Sequence, residues 1–241
     1  MCKLKERINQ EIIEGDIVQI ELPITTLNNN KFEGKRFIVK HIGCFQKSEK
    51  IIWGLTADKW AYAYDDKQHF LPSNGYILTS NEIPIKYLLA VLNSNLLKFY
   101  FGFIGVMTAG GAFTLKHTTI KNLPVAITPN KAPYINMVDY ILHLLYNSNQ
   151  TEPDLMVSYF EQIIDGMVYE LYFPELLRQH NRRIIEHLGE LPALEDDRSD
   201  KEKMEIITKV YDRLNHKEHP VRNNLFYMKN IEEIKIMEGL D

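Results

Sequence analysis

Tyr87 to Val125 reads YLLAVLNSNLLKFYFGFIGVMTAGGAFTLKHTTIKNLPV, and the reading of this stretch decides the fold. Pro84 stands where a helix can start, with Asn81 a candidate cap, and Tyr87, Leu88, Val91 and Leu92 then recur at helical spacing. Ser94 is placed to cap a second helix through Leu96, Leu97, Tyr100 and Phe101. Gly102, Gly105 and Thr108-Ala109-Gly110-Gly111 supply backbone freedom for a chain reversal. Beyond it, Phe113-Thr114-Leu115-Lys116-His117 alternates like a strand, and Pro124 and Pro129 mark the exit.

Toward the N-terminus, Asp16 to Thr79 is a series of short strand-like runs: Ile17–Leu22, Arg36–Lys40, Ile51–Trp53, Trp60–Tyr64 and Gly75–Leu78. Asn28-Asn29-Asn30, Asp65-Asp66 and Pro72–Gly75 are the turn residues between them. Trp60, Tyr62 and Tyr64 share one face at period two; burial in half a sheet core is favoured over contact with a base or sugar.

Toward the C-terminus the period becomes helical. Ile135, Val138, Ile141, Leu142 and Leu145 form one apolar stripe, and Leu155, Phe160, Ile163, Ile164, Met167, Val168 and Leu171 form a broader one, capped by Thr151 with Pro153 in its first turn. Another helix is expected from Pro174 to a stop at Gly189. Ser199-Asp200-Lys201-Glu202 is a capping-box pattern that starts one more, and Pro192 with Glu195-Asp196-Asp197 reads as an exposed linker. The expected class is α+β: a mixed β-rich domain over 1–130 with its helix pair packed on the sheet, then an α-helical domain over 131–241.

The net charge of −4 conceals an asymmetry. Residues 1–130 carry 15 Lys+Arg against 11 Asp+Glu, net +4, and residues 131–241 carry 13 against 21, net −8. Attraction to phosphate depends on where charge sits, so a nucleic-acid surface belongs in the first part. Cys2 and Cys44 have no CxxC or Cys-His spacing, which supports neither a disulfide framework nor a zinc site. The apolar run from Tyr87 to Val106 is interrupted by Asn93, Ser94, Asn95 and Lys98, so no membrane span is expected, and a cytoplasmic protein is.

Catalytic patterns are absent. There is no Asn-Pro or Asp-Pro dipeptide for an adenine methyltransferase loop, and no GxGxxG or Walker-type loop. Asp16 with Glu33-Gly34-Lys35 imitates a metal-dependent nuclease, but acid-x-base triplets arise about four times by chance at this composition. His180 and His187 are expected on one helix, too far apart for a single metal. No catalytic and no metal-ligating residue is assigned.

What remains is a set of basic and hydrogen-bonding residues in the positive part. Lys116, His117, Thr118, Thr119, Lys121 and Asn122 follow the glycine turn; Arg36, Lys40, His41, Lys47 and Lys50 form a second group. Lysines and threonines suit phosphates, whereas Arg36, His41, Gln46, His117 and Asn122 suit base edges.

The succession Leu92-Asn93-Ser94, Gly110-Gly111, Phe113, Leu115-Lys116 and Leu123-Pro124-Val125, preceded by the strand pattern from Arg36 to Leu78, resembles the TaqI-like C-terminal specificity domain. That family reads DNA sequence in type IIG restriction-modification enzymes and adenine-specific DNA methyltransferases. Asp165 to Tyr172 resembles the helical tail that follows the domain in many members. The resemblance implies a module that recognises double-stranded DNA, is non-catalytic by itself, and directs a methyltransferase or nuclease domain or subunit. AdoMet and magnesium would belong to that partner, with no cofactor in this chain. A fragment, a separately encoded specificity subunit and a remnant are all compatible with it. The alternatives are a protein-interaction or structural remnant without DNA binding and, behind it, a metal-dependent nuclease.

Overall fold

A computed structural model of the protein describes residues 47–69, 71, 74–147 and 155–240 in full, and residues 17–21 and 36–40 as backbone. Of the residues named above, Cys2, Asp16, Glu33, Lys35, His41, Cys44, Gln46, Thr151 and Pro153 lie outside the fully described residues.

The fold is α+β, with three small antiparallel sheets among the described residues and a larger helical part. Strands β1 (Ile17–Glu21) and β2 (Arg36–Lys40) pair with each other, Ile17 opposite Lys40 and Glu21 opposite Arg36. The second sheet has β3 (Lys50–Gly54) at its centre, between β5 (Ala63–Asp65) and β6 (Gly75–Leu78). The third sets β8 (Phe113–Thr114) between β4 (Thr56–Ala57) and β7 (Val106–Met107).

Helices α1 (Ile85–Asn93) and α2 (Asn95–Ile104) meet at a 67° bend. The bend is made by Ser94, whose extended backbone breaks the helical path. Its Oγ donates to the Val91 carbonyl (2.7 Å) and accepts from the Leu97 N–H (3.4 Å), finishing one helix and capping the next. Asn81 does not cap α1. Its carboxamide oxygen accepts from Lys47 Nζ (2.8 Å), while the Ser80 hydroxyl takes the Ile83 N–H (2.9 Å) and Pro84 stands at the cap position.

The same bend organises the aromatic strand. Asn93 accepts the Tyr62 N–H on Oδ1 (2.8 Å) and donates Nδ2 to the Tyr62 carbonyl (3.0 Å), supplying with one side chain what a neighbouring strand would supply. Trp60 Nε1 donates to the Leu92 carbonyl (2.8 Å). Regular strand is consequently confined to Ala63–Asp65 rather than extending from Trp60. The rings pack as expected: Trp60 lies 5.2 Å from both Tyr62 and Phe101 and 5.7 Å from Phe113.

Beyond the hairpin, α3 (His117–Ile120) leads to α4 (Ala132–Asn147) and α5 (Leu155–Tyr172). Tyrosine hydroxyls fix the connection before α4: Tyr87 donates to the Ala126 carbonyl (2.8 Å), and Tyr172 donates to that of Pro124. The pair Lys86–Asp139 (2.6 Å) ties α1 to α4. Asp165 of α5 accepts the Asn95 N–H and the Asn95 Nδ2 (both 2.8 Å), setting a carboxylate at the N-terminus of α2, where it complements the helix dipole.

Helix α6 (Pro174–Gln179) is shorter than the sequence suggests. Asn181, at a left-handed φ of 54°, ends it, with the Arg182 N–H returning to the Leu177 carbonyl (2.8 Å), and Gly189 belongs to a later turn. His180 and His187 are therefore not on one helix; His187 ends the 3-10 turn Ile185–His187. The segment from Leu191 is not a free linker either. Asn136 Nδ2 donates to the Leu191 carbonyl (2.7 Å) and the Tyr140 hydroxyl to that of Pro192 (2.5 Å), although Glu195, Asp196 and Asp197 are exposed. Ser199 and Glu202 form the expected capping box at α7 (Asp200–Leu214), followed by α8 (Pro220–Met228) and α9 (Glu232–Glu238). A Cβ on Gly166 would meet Leu225 at 2.8 Å and Ile184 at 3.1 Å, so its bareness lets α5 approach them.

One buried cluster runs from Ile51 and Trp53 through α1, α4 and α5 to Ile234, crossing residue 130, where the sequence changes period and charge. Among the described residues no single helix is long and apolar enough to cross a membrane.

Two outcomes follow from the bend. Asn93→Leu removes both bonds to Tyr62 and is expected to lower stability by about 1–3 kcal/mol in denaturant unfolding; a change under about 0.5 kcal/mol, the scale of ordinary surface substitutions, would sink that role. Burial pushes the Asp165 carboxyl up to about 7, the Asn95 backbone N–H opposing it and Glu238 and Glu161 adding to it. The folded state then holds a proton that the unfolded chain releases near pH 4, so stability is present at low pH and lost as pH rises through 7. The unfolding free energy should fall by about 1–2 kcal/mol more between pH 5.5 and 8 in the native chain than in Asp165→Asn. Equal pH slopes in the two proteins would contradict the assignment.

Candidate nucleic-acid interface

Lys116 to Asn122 form a compact exposed turn. Leu115 is fully buried and donates its N–H to the Leu55 carbonyl (2.7 Å), which pins the end of β8 to the body of the protein. The Thr119 and Ile120 N–H groups then close on the Lys116 carbonyl (2.9 and 3.0 Å). Strand geometry therefore stops at Thr114, and His117 begins a helical turn instead of continuing the expected alternation. Ile120 and Leu123 face the core. Lys116, His117, Thr118, Lys121 and Asn122 are left exposed and Thr119 half-buried. Asn122 Nδ2 donates to the Thr118 carbonyl (3.0 Å), fixing the amide across the turn.

A column of rings supports this turn from below. The Trp53 and Tyr76 rings, on residues paired in register, stack at 5.5 Å, and the His117 ring lies 6.2 Å from Tyr76. Trp53 Nε1 donates to the Leu115 carbonyl (2.9 Å), so the sheet holds the turn by both contacts. Tyr76 is half-buried beside His117. Its position depends on strand register, which is why a scan for basic residues passes over it.

Of the second group, only Lys47 and Lys50 have described side chains, and the two do not share a surface. Lys50 has no exposed surface; its ammonium sits 2.7 Å from the Asp65 carboxylate, the residue opposite it in the β3–β5 register. Burial pushes the Asp65 carboxyl up, but Lys50, His69 and the Lys67 N–H outweigh this and hold it at about 2. Lys50 is thus a structural cation and leaves the set of candidate DNA contacts. Lys47 is exposed and held by Asn81, beyond the Leu78 end of β6, whereas His117 lies beside Tyr76 nearer the other end. Arg36 and Lys40 bracket β2, where only the backbone is described, and His41 lies outside the described residues.

A cavity of about 620 Å³ lies elsewhere, walled among others by Trp60, Tyr64, Asn93, Tyr146, Glu161 and Asp165. Burial pushes both carboxyls up. Among the described residues no group of three or more His, Cys, Asp or Glu is placed to hold a metal ion.

A protein of Methanocaldococcus jannaschii, named as a candidate type II restriction enzyme and methyltransferase, is 26% identical over 174 residues. The match covers 68% of this chain and only 14% of that protein, so the chain corresponds to a small part of its relative. Residues 11–125 match the TaqI-like C-terminal specificity domain. From strand β1 through the basic turn, the chain is therefore similar to the specificity domains of the TaqI-like C-terminal family.

Proposed function

We propose that this chain is the DNA-reading part of a type IIG-like restriction-modification system: it binds double-stranded DNA sequence-specifically and directs a methyltransferase or endonuclease to the site. The chemistry, with AdoMet and magnesium, resides in that catalytic partner, and the assembly works in the cytoplasm without a membrane. The observation that carries this reading is the turn from Lys116 to Asn122, where two ammonium groups, an imidazole and an amide are exposed over a rigid aromatic base. Lysines at such positions neutralise phosphate and release counterions, while His117 and Asn122 have the donor and acceptor chemistry for base edges.

Charge supports the orientation. From Ile83 to Val138 the chain has five lysines and no Asp or Glu. The part beyond residue 130 is net acidic and repels a polyanion, so it faces the catalytic partner. The division at residue 130 is on this reading a division of labour between surfaces.

Selection from a randomised duplex pool tests the proposal. Enrichment of one short motif is expected, with affinity falling as salt rises. Lys116→Ala combined with Lys121→Ala should weaken binding to all duplexes alike and reduce the magnitude of the salt slope by about two, one for each phosphate contact. No enriched motif together with salt-independent binding would refute sequence reading by this chain.

A further inference from the structure

The hairpin β7–β8 presents apolar side chains that the fold itself does not use. Its inner strand is anchored: Phe113 is 8% exposed and packs against Trp60 and Phe101 at 5.7 and 6.0 Å. Its outer strand is an edge, and adjacent strand residues point to opposite faces, yet Val106 is 61% and Met107 48% exposed. Both faces of β7 therefore carry a side chain that is about half or more exposed, so this strand projects from the body. At the end of α2, Phe103 (73%) and Ile104 (37%) extend the same apolar surface.

The projection is preformed. The Thr108 N–H donates to the Ala112 carbonyl (2.8 Å), the Ala112 N–H to Thr108 Oγ1 (3.1 Å) and the Gly111 N–H to the Thr108 carbonyl (2.9 Å). Gly111 needs its bareness for its φ of +83°. Gly110 does not: its φ is not left-handed, and a Cβ there would meet nothing nearer than Thr108 Oγ1 at 3.9 Å. Gly102 has open space around it too, although glycine inside a helix lowers stability by roughly 0.5–1 kcal/mol relative to alanine. Neither residue is required by internal packing, which directs their small size to something outside the chain.

The flanking charge identifies the class of that partner. Lys98 is exposed one turn before Gly102, and Lys116 follows Thr114, the register partner of Val106, at the base of the hairpin. An apolar projection rimmed by cations fits a ligand with an anionic exterior and an apolar interior reached through a groove, which describes a stacked DNA duplex. We propose that the hairpin enters a groove of the bound DNA and that Met107 wedges into the base stack, partly unstacking one step while lysines hold the neighbouring phosphates. This rests on the DNA-reading proposal and adds that the chain deforms the site it reads.

The test uses the full chain and the duplex enriched by selection, with 2-aminopurine substituted at one position at a time. Binding is expected to brighten the probe several-fold at one step. Met107→Ser should remove most of that signal and weaken binding about tenfold, the scale expected for a lost wedge contact. Lys116→Ala should weaken binding yet leave the brightening of the saturated complex unchanged. Binding without brightening at any position overturns the wedge and leaves DNA reading intact. A full signal from Met107→Ser also overturns it and assigns the apolar surface to a protein partner. Failure to enrich any duplex overturns both.

Discussion

The two-sided hydrogen bonding of Asn93 to the Tyr62 backbone is the constraint on which the rest of this structure depends. It occurs where a helix turns through 67° and where the neighbouring Leu92 carbonyl receives the Trp60 indole. One carboxamide thus joins the central sheet to the helix pair without another strand. With Trp60 fixed there, Phe101 and Phe113 pack on its ring, and through Phe113 the hairpin is held at a defined angle to the body. Asp165 fastens the far side of the same bend by taking both Asn95 donors. The Leu-Asn-Ser triplet is consequently a three-way structural junction: a buried leucine, a strand-mimicking amide and a cap.

On the proposed reading that junction matters for recognition, because contacts to base edges require side chains held in fixed positions. Short turns on a surface are usually mobile. Here the turn from Lys116 to Asn122 is fixed by Ile120 and Leu123 in the core, by the Trp53–Tyr76–His117 column beneath it and by Leu115 at its entry. Rigid support reduces the entropy lost on binding and leaves more of the contact energy to distinguish sequences. The acidic helical part shares one buried core with the part that carries this turn, so on the proposed reading a partner docked on those helices is coupled mechanically to it.

Much of this was legible from residues alone. The helix pair, the Ser94 cap, the glycine reversal and the Ser199 capping box are local features governed by spacing and by side chains reaching a few positions along the chain. The basic turn was legible as a cluster, though not as a helix, because its departure from strand geometry is imposed by the Leu115 bond to Leu55, sixty residues earlier. The Gly189 stop was misplaced for a related reason: Asn181 took up the left-handed position first.

By itself the sequence determined the α+β class, the kinship with specificity domains and the uneven charge, since periodicity, motif order and composition are properties of the chain. Only the tertiary structure decided which cations are exposed. Lys47 and Lys50 are three residues apart and chemically identical, yet one is exposed beside Asn81 and the other is sealed against Asp65. The difference lies in strand register, a long-range pairing that buries one ammonium with its counterion and leaves the other in water. The same holds for Val106 and Met107, apolar residues that pattern alone would bury and that the edge position of their strand exposes.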